Sequence, residues 1–125
     1  MSIAFKEAVE AGDMDRGVAC LAPEVTFRSP VVHTPYEGIG LVSGILRAAF
    51  ETFEDFEYVH ELDSGDDWHA LIFRARVGDK RLDGIDLVHL NADGLIDDFT
   101  VMVRLASGLM ALAEQMGPKV EALKA

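Results

Sequence analysis

Cysteine is almost absent from this chain of 125 residues, where Cys20 stands alone. One cysteine cannot close an intrachain disulfide, and a multi-cysteine metal centre is excluded by count. Cys20 lies in an apolar stretch beside Val18 and Leu21 and reads as a small buried hydrophobe, not a nucleophile. Basic residues are scarce as well: 11 Lys and Arg against 22 Asp and Glu give a net charge of −11. With no basic stripe, phosphate backbones and anionic lipid surfaces repel such a chain, so neither a nucleic-acid nor a membrane partner is expected. No run approaches the ~18 apolar residues of a membrane span. The start, Met1-Ser2-Ile3-Ala4-Phe5-Lys6-Glu7, lacks the basic and apolar segments of a signal peptide, so a cytoplasmic protein is expected.

Hydrophobic residues are plentiful, at 50% of the chain, enough for a sizeable core. The length suits one domain, taken as 1-125. Helices are expected over residues 3 to 11, from Asp13 as N-cap to about Leu21, and over 39 to 53, where Ile39, Val42, Ile45, Leu46, Ala49 and Phe53 form an apolar stripe. Pro23 should stop the second helix. Val25 to Arg28 reads as a short strand, and Ser29 to Gly38 as an irregular loop. Four strands with period-two patterning follow: 56 to 62, 69 to 77, 82 to 90 and 95 to 104. Turns fall at Ser64-Gly65, Gly78-Asp79 and Asn91-Ala92-Asp93-Gly94. A last helix should begin near Ala106 and break at Gly117-Pro118. Helices followed by an antiparallel meander define an α+β fold.

Asp86 is the conspicuous residue. On a two-residue period it shares a face with Leu82, Gly84, Val88 and Leu90. If that face is interior, the carboxyl must find a partner or keep its proton with a raised pKa, which makes it a candidate functional group. The alternative is a structural Asp bonded to a neighbour. Hairpins centred on the expected turns oppose His60 to His69, Asp86 to Leu71, and Asp86 to Phe99 on its other flank. His69 would then lie diagonal to Asp86, within hydrogen-bonding reach. The inner surface so defined carries Asp86, His69 and His60 as candidate acid–base groups. A strand bulge would turn either histidine to the other face. Two His and one Asp are possible metal ligands by type, but no recognised spacing is present, so no metal and no cofactor are expected. His89 has the opposite parity, and His33 lies in the proline-rich loop.

Several strings, in order, resemble the nuclear-transport-factor-2-like superfamily, with its SnoaL-like, cystatin-like cone fold. They are Ala8-Val9-Glu10-Ala11-Gly12-Asp13-Met14-Asp15, Val25-Thr26-Phe27-Arg28-Ser29-Pro30, Asp83-Gly84-Ile85-Asp86 and Asn91-Ala92-Asp93-Gly94-Leu95-Ile96. The resemblance implies a curved antiparallel sheet wrapped around N-terminal helices, with a C-terminal helix. It also implies an open apolar pocket for a small hydrophobic molecule, and a homodimer through the outer sheet face. Pocket-lining residues would be Phe5, Phe27, Ser29, Tyr58, Leu71, Phe73, Val88, Phe99, Val101 and Val103. Ketosteroid isomerase, a member of that superfamily, pairs a tyrosine with a protonated aspartic acid in its oxyanion hole and uses a second aspartate as base. The protonated acid corresponds to Asp86, the base to Ser29 and the tyrosine to Phe5. In limonene epoxide hydrolase, a cousin in that superfamily, the pattern is Arg-x-Asp with a second Asp on the last strand; these fall on Leu71, Phe73 and Val101 here, so that triad is missing. The expectation is an isomerase, cyclase or hydratase-like enzyme acting on a hydrophobic carbonyl compound, with Asp86 and His69 central. The alternatives are a non-catalytic ligand-binding or dimerisation module and a protein-binding adaptor.

Overall fold

The computed structural model describes residues 3 to 124; Met1, Ser2 and Ala125 lie outside the described residues. Its elements are α1 (Ala4–Glu10), α2 (Met14–Ala19), β1 (Leu21–Arg28), β2 (Tyr36–Glu37), α3 (Ile39–Thr52), β3 (Glu54–Asp63), β4 (Trp68–Val77), β5 (Lys80–Leu90), β6 (Ile96–Arg104) and α4 (Ala106–Lys124). One curved six-stranded sheet has the order β2-β1-β6-β5-β4-β3. The meander from β3 to β6 is antiparallel, while β1 joins its far side parallel to β6. The sheet is therefore mixed.

Asp13 caps α2 as its sequence position suggests, its carboxylate accepting from Arg16 N. Pro23 does not stop that helix, which ends at Ala19; it sits inside β1, where the register against β6 shifts. A proline offers no N–H to a ladder, so it is tolerated where pairing is interrupted. The segment read as an irregular loop contains β2, a two-residue strand on Thr26 and Phe27. The last helix runs through Pro118 without ending. Its far end is held by packing, with Leu123 lying against Gly44 of α3.

The core forms where α1 and α3 meet the concave sheet face. Phe5 of α1 and Val42, Ile45 and Leu46 of α3 pack on Val25, Phe27, Leu71, Val88, Ile96 and Phe99. A second cluster, Phe73, Ala75, Val77, Leu82 and Leu112, lies under α4. Two glycines set its spacing. At Gly108 a Cβ would stand 2.5 Å from the Arg81 carbonyl oxygen, so α4 can rest directly on β5. At Gly84 a Cβ would stand 2.2 Å from Cζ of Phe73, whose ring occupies that space. Phe73 is fully buried and stacks on Phe56 at 4.8 Å. Gly84→Ala forces this ring out of a filled core and should destabilise the protein by about 2 kcal/mol or more. A denaturant titration checks it, and an unchanged midpoint would contradict the packing described.

Candidate functional site

The hairpin between β4 and β5 has the register expected from Gly78-Asp79: Asp86 faces Leu71, and His69 faces Val88. The other two hairpins differ. The turn between β3 and β4 is wider than Ser64-Gly65, because Asp63 N-terminal to it accepts from Gly65 N and Ser64 N binds Trp68 O. Asp63, not His60, therefore opposes His69. Between β5 and β6 the offset is two residues, so Val101, not Phe99, faces Asp86. An even offset keeps parity, and Phe99 stays on the inner face opposite Val88.

A bulge in β3 changes the site. Tyr58 faces Phe73 across the ladder, but the register then shifts and His60 faces Ile72. Tyr58 thus points inward and His60 outward, where it is exposed on the convex face beside Ile72 and Arg74. His60 leaves the inner surface for this reason. His69 is inward and buried, yet it makes no hydrogen bond to Asp86, and its Nδ1 has no partner among the described residues. It does not reach the cavity. The two histidines are therefore not gathered with Asp86.

The group that does meet Asp86 is Tyr58. Its hydroxyl donates to Oδ2 of Asp86 at 2.8 Å. Tyr58 is held by edge contact with Phe56 at 4.9 Å and packs near Phe73. Asp86 is 4% exposed, and burial drives its pKa up from 3.8 to about 7; the Tyr58 hydrogen bond pulls the other way but does not prevail. Burial, and then the neighbouring Asp86, push the Tyr58 hydroxyl well above its ordinary value, so it stays protonated. Below neutral pH both partners are uncharged.

Asp86 forms part of the wall of a cavity of about 160 Å³. Of the expected lining, Phe27, Ser29, Phe99 and Val101 face this space. Phe5, Leu71, Phe73 and Val88 are packed in the core instead. Val103 packs on the cluster under α4, and Tyr58 stands behind Asp86 rather than at the cavity surface. Ser29 Oγ accepts from Val31 N and Val32 N, which ties down the loop at the mouth. Much of the remaining wall is not legible in the sequence: Ile45, Leu46, Ala49 and Phe50 of α3, Phe53 just after it, and Leu112, Ala113, Met116 and Val120 of α4. Helical periodicity marked both stripes as apolar but cannot distinguish packed core from cavity wall. Lys119 Nζ donates to Thr52 Oγ1 at 2.5 Å and fastens α4 to the end of α3 over this space.

Outside the cavity, His89 Nδ1 lies 2.7 Å from Asp97, and its ring sits on Trp68. The hydrogen bond to Asp97 raises the His89 pKa. Among the described residues no cluster of His, Cys, Asp or Glu could hold a metal, and no helix is long and apolar enough to cross a membrane.

A curved sheet closed by helices over an apolar cavity with one buried acid defines a cone-fold protein of the nuclear-transport-factor-2-like type. Residues 3–99 match the model of the SnoaL-like domain, and the chain belongs to that family. A steroid delta-isomerase from Pseudomonas aeruginosa is 43% identical, with a TM-score of 0.87 over 95% of this chain and 88% of that one. A cystatin-like-fold protein conserved in bacteria, from Silicibacter pomeroyi DSS-3, is 32% identical, with a TM-score of 0.87 over 94% and 83% of the two chains. SalBIII, an epoxide hydrolase/cyclase-like enzyme in pyran ring formation in polyether salinomycin, shares the fold at 20% identity and a TM-score of 0.65, over 81% and 85%. A comparison with curated proteins gave no match.

Asp86 binds more protons folded than unfolded between about pH 4 and 7. The stability it supports is complete below about pH 4 and is lost as pH rises through 7, by about 4 kcal/mol at most. Asp86→Asn has no such titration. Denaturation at pH 4.5 and pH 8 should show the variant gaining on the parent at the higher pH; parallel profiles would contradict the buried, protonated state.

Proposed function

We propose that the cavity binds a small hydrophobic carbonyl compound and that Asp86 is the acid that meets its oxygen. The observation that carries this reading is the Tyr58–Asp86 hydrogen bond, 2.8 Å long, at the wall of an apolar cavity. Tyr58 occupies Oδ2, and no other partner stands on the carboxyl among the described residues. When protonated, Asp86 can donate from Oδ1 into the cavity. A neutral acid on an apolar wall polarises a carbonyl and stabilises the charge of an enolate as it forms, with Tyr58 holding the donor in place. Isomerase, cyclase or hydratase-like chemistry uses such a step. The steroid delta-isomerase and the cyclase-like enzyme that share this fold support that class.

A specific observation favours the second reading, a ligand-binding module without turnover. Ser29, at the position matching a catalytic base, is engaged by two backbone amides and has no group to take its proton. Cyclohex-3-enone separates the two. An enzyme converts it to the conjugated isomer, followed by ultraviolet absorbance, and Asp86→Ala lowers the rate by about 10²-fold or more. A carrier binds the ketone without turnover. Absence of binding in any assay would remove both readings.

We further propose a homodimer through the convex sheet face, where half-exposed Met102 lies beside Ile72, Ile85, Arg74 and Arg104. The net charge and lone cysteine suit a cytoplasmic protein. Sedimentation should give a dimer that Met102→Glu dissociates; a monomeric parent protein would contradict it.

A further inference from the structure

We infer that the cavity selects compact, uncharged ligands of one or two rings and rejects both carboxylates and four-ring steroids. This rests on the ligand-binding reading above and narrows it to a substrate class.

Size comes first. The cavity measures about 160 Å³. An apolar cavity of about 150 Å³ is enough for benzene. The walls do not invite expansion: Ile45 and Leu46 belong to the packed core of α3, and Leu112 to the cluster under α4. The cover is fastened as well, by Lys119 on Thr52 and by Leu123 against Gly44. A planar ring with a short carbonyl substituent fits between Phe27, Phe99 and Met116 with its oxygen toward Asp86. Four fused rings exceed that volume and would have to protrude past the exposed Val31 and Val32.

Charge comes second. Among the described residues no Lys, Arg or His lines the cavity; its carboxyl groups are those of Asp86 and Glu121. Of the two lysines on α4, Lys124 is paired with Glu121 at 3.5 Å and lies over the Tyr36 ring at 6.0 Å, and Lys119 is directed to the Thr52 hydroxyl. An anion entering would be stripped of water among aromatic and aliphatic side chains, with the carboxyls of Asp86 and Glu121 and the hydroxyls of Ser29 and Tyr36 as polar groups of the lining and no cation among them. An unpaired buried charge is strongly disfavoured. A ketone, ester or lactone oxygen needs one donor, which Asp86 supplies.

The test uses probes matched in shape. Acetophenone and benzoate share the phenyl–carbonyl frame and differ in a methyl group against an ionised oxygen. Both are titrated at pH 6 into isotopically labelled full-length protein, beside androst-4-ene-3,17-dione, while the amides of Val101, Ala113 and Met116 are followed by NMR. Acetophenone should shift those amides and bind at least ~30-fold more tightly than benzoate. The steroid should leave them unmoved. Benzoate binding as tightly as acetophenone at the same amides overturns the exclusion of charge, and steroid-induced shifts there overturn the size limit. In either case the ligand-binding reading survives. If no probe perturbs the cavity, that reading falls and this inference with it.

Discussion

One carboxyl group is kept out of water at the heart of this structure. Asp86 sits on a central strand, flanked by Leu71 and Val101 and backed by Tyr58. A charge there would have no cation to meet. Burial therefore lifts the pKa of the group to about 7, so that it is half protonated at neutral pH and mostly protonated below it, and the Tyr58 hydroxyl satisfies one oxygen without supplying charge. On the proposed reading, the same hydrocarbon that makes Asp86 costly to ionise makes it a donor: a protonated acid on an apolar cavity wall can donate to a carbonyl, which a solvated, ionised aspartate cannot do.

The scaffold serves that arrangement at several removes. Gly84 leaves room for Phe73, Phe73 stacks on Phe56, and Phe56 holds the edge of Tyr58. Gly108 lets α4 lie close on β5, so Leu112 and Met116 close the cavity opposite the sheet. The bulge in β3 turns Tyr58 inward beside Asp86 and sends His60 to the convex face.

Much of this was legible in the sequence, and the failures have identifiable causes. Gly78-Asp79 makes a tight turn, so the β4–β5 register and the inward direction of Asp86 follow from parity alone. The aspartate-rich turn at 63 to 67 hydrogen-bonds to itself and widens, which no two-residue template anticipates. The β3 bulge leaves no mark in the alternation of Phe56, Tyr58, His60 and Leu62, so the His60 placement failed. Tyr58 was read as pocket lining, but its pairing with Asp86 depended on that same bulge. The helical half of the cavity was hidden because an apolar stripe looks alike whether it packs solidly or borders a void. Pro118 argued for a break in α4, yet contacts on both sides of it outweigh one missing N–H.

Below neutral pH Asp86 is a protonated acid at the cavity wall, steadied by Tyr58. Carbon-13 NMR of the Asp86 carboxyl, followed with pH in the parent protein and in Tyr58→Phe, tests it most directly. The midpoint should lie near 7 and move higher when the hydroxyl is removed. A midpoint in the ordinary aspartate range of about 4, unmoved by the substitution, would contradict it.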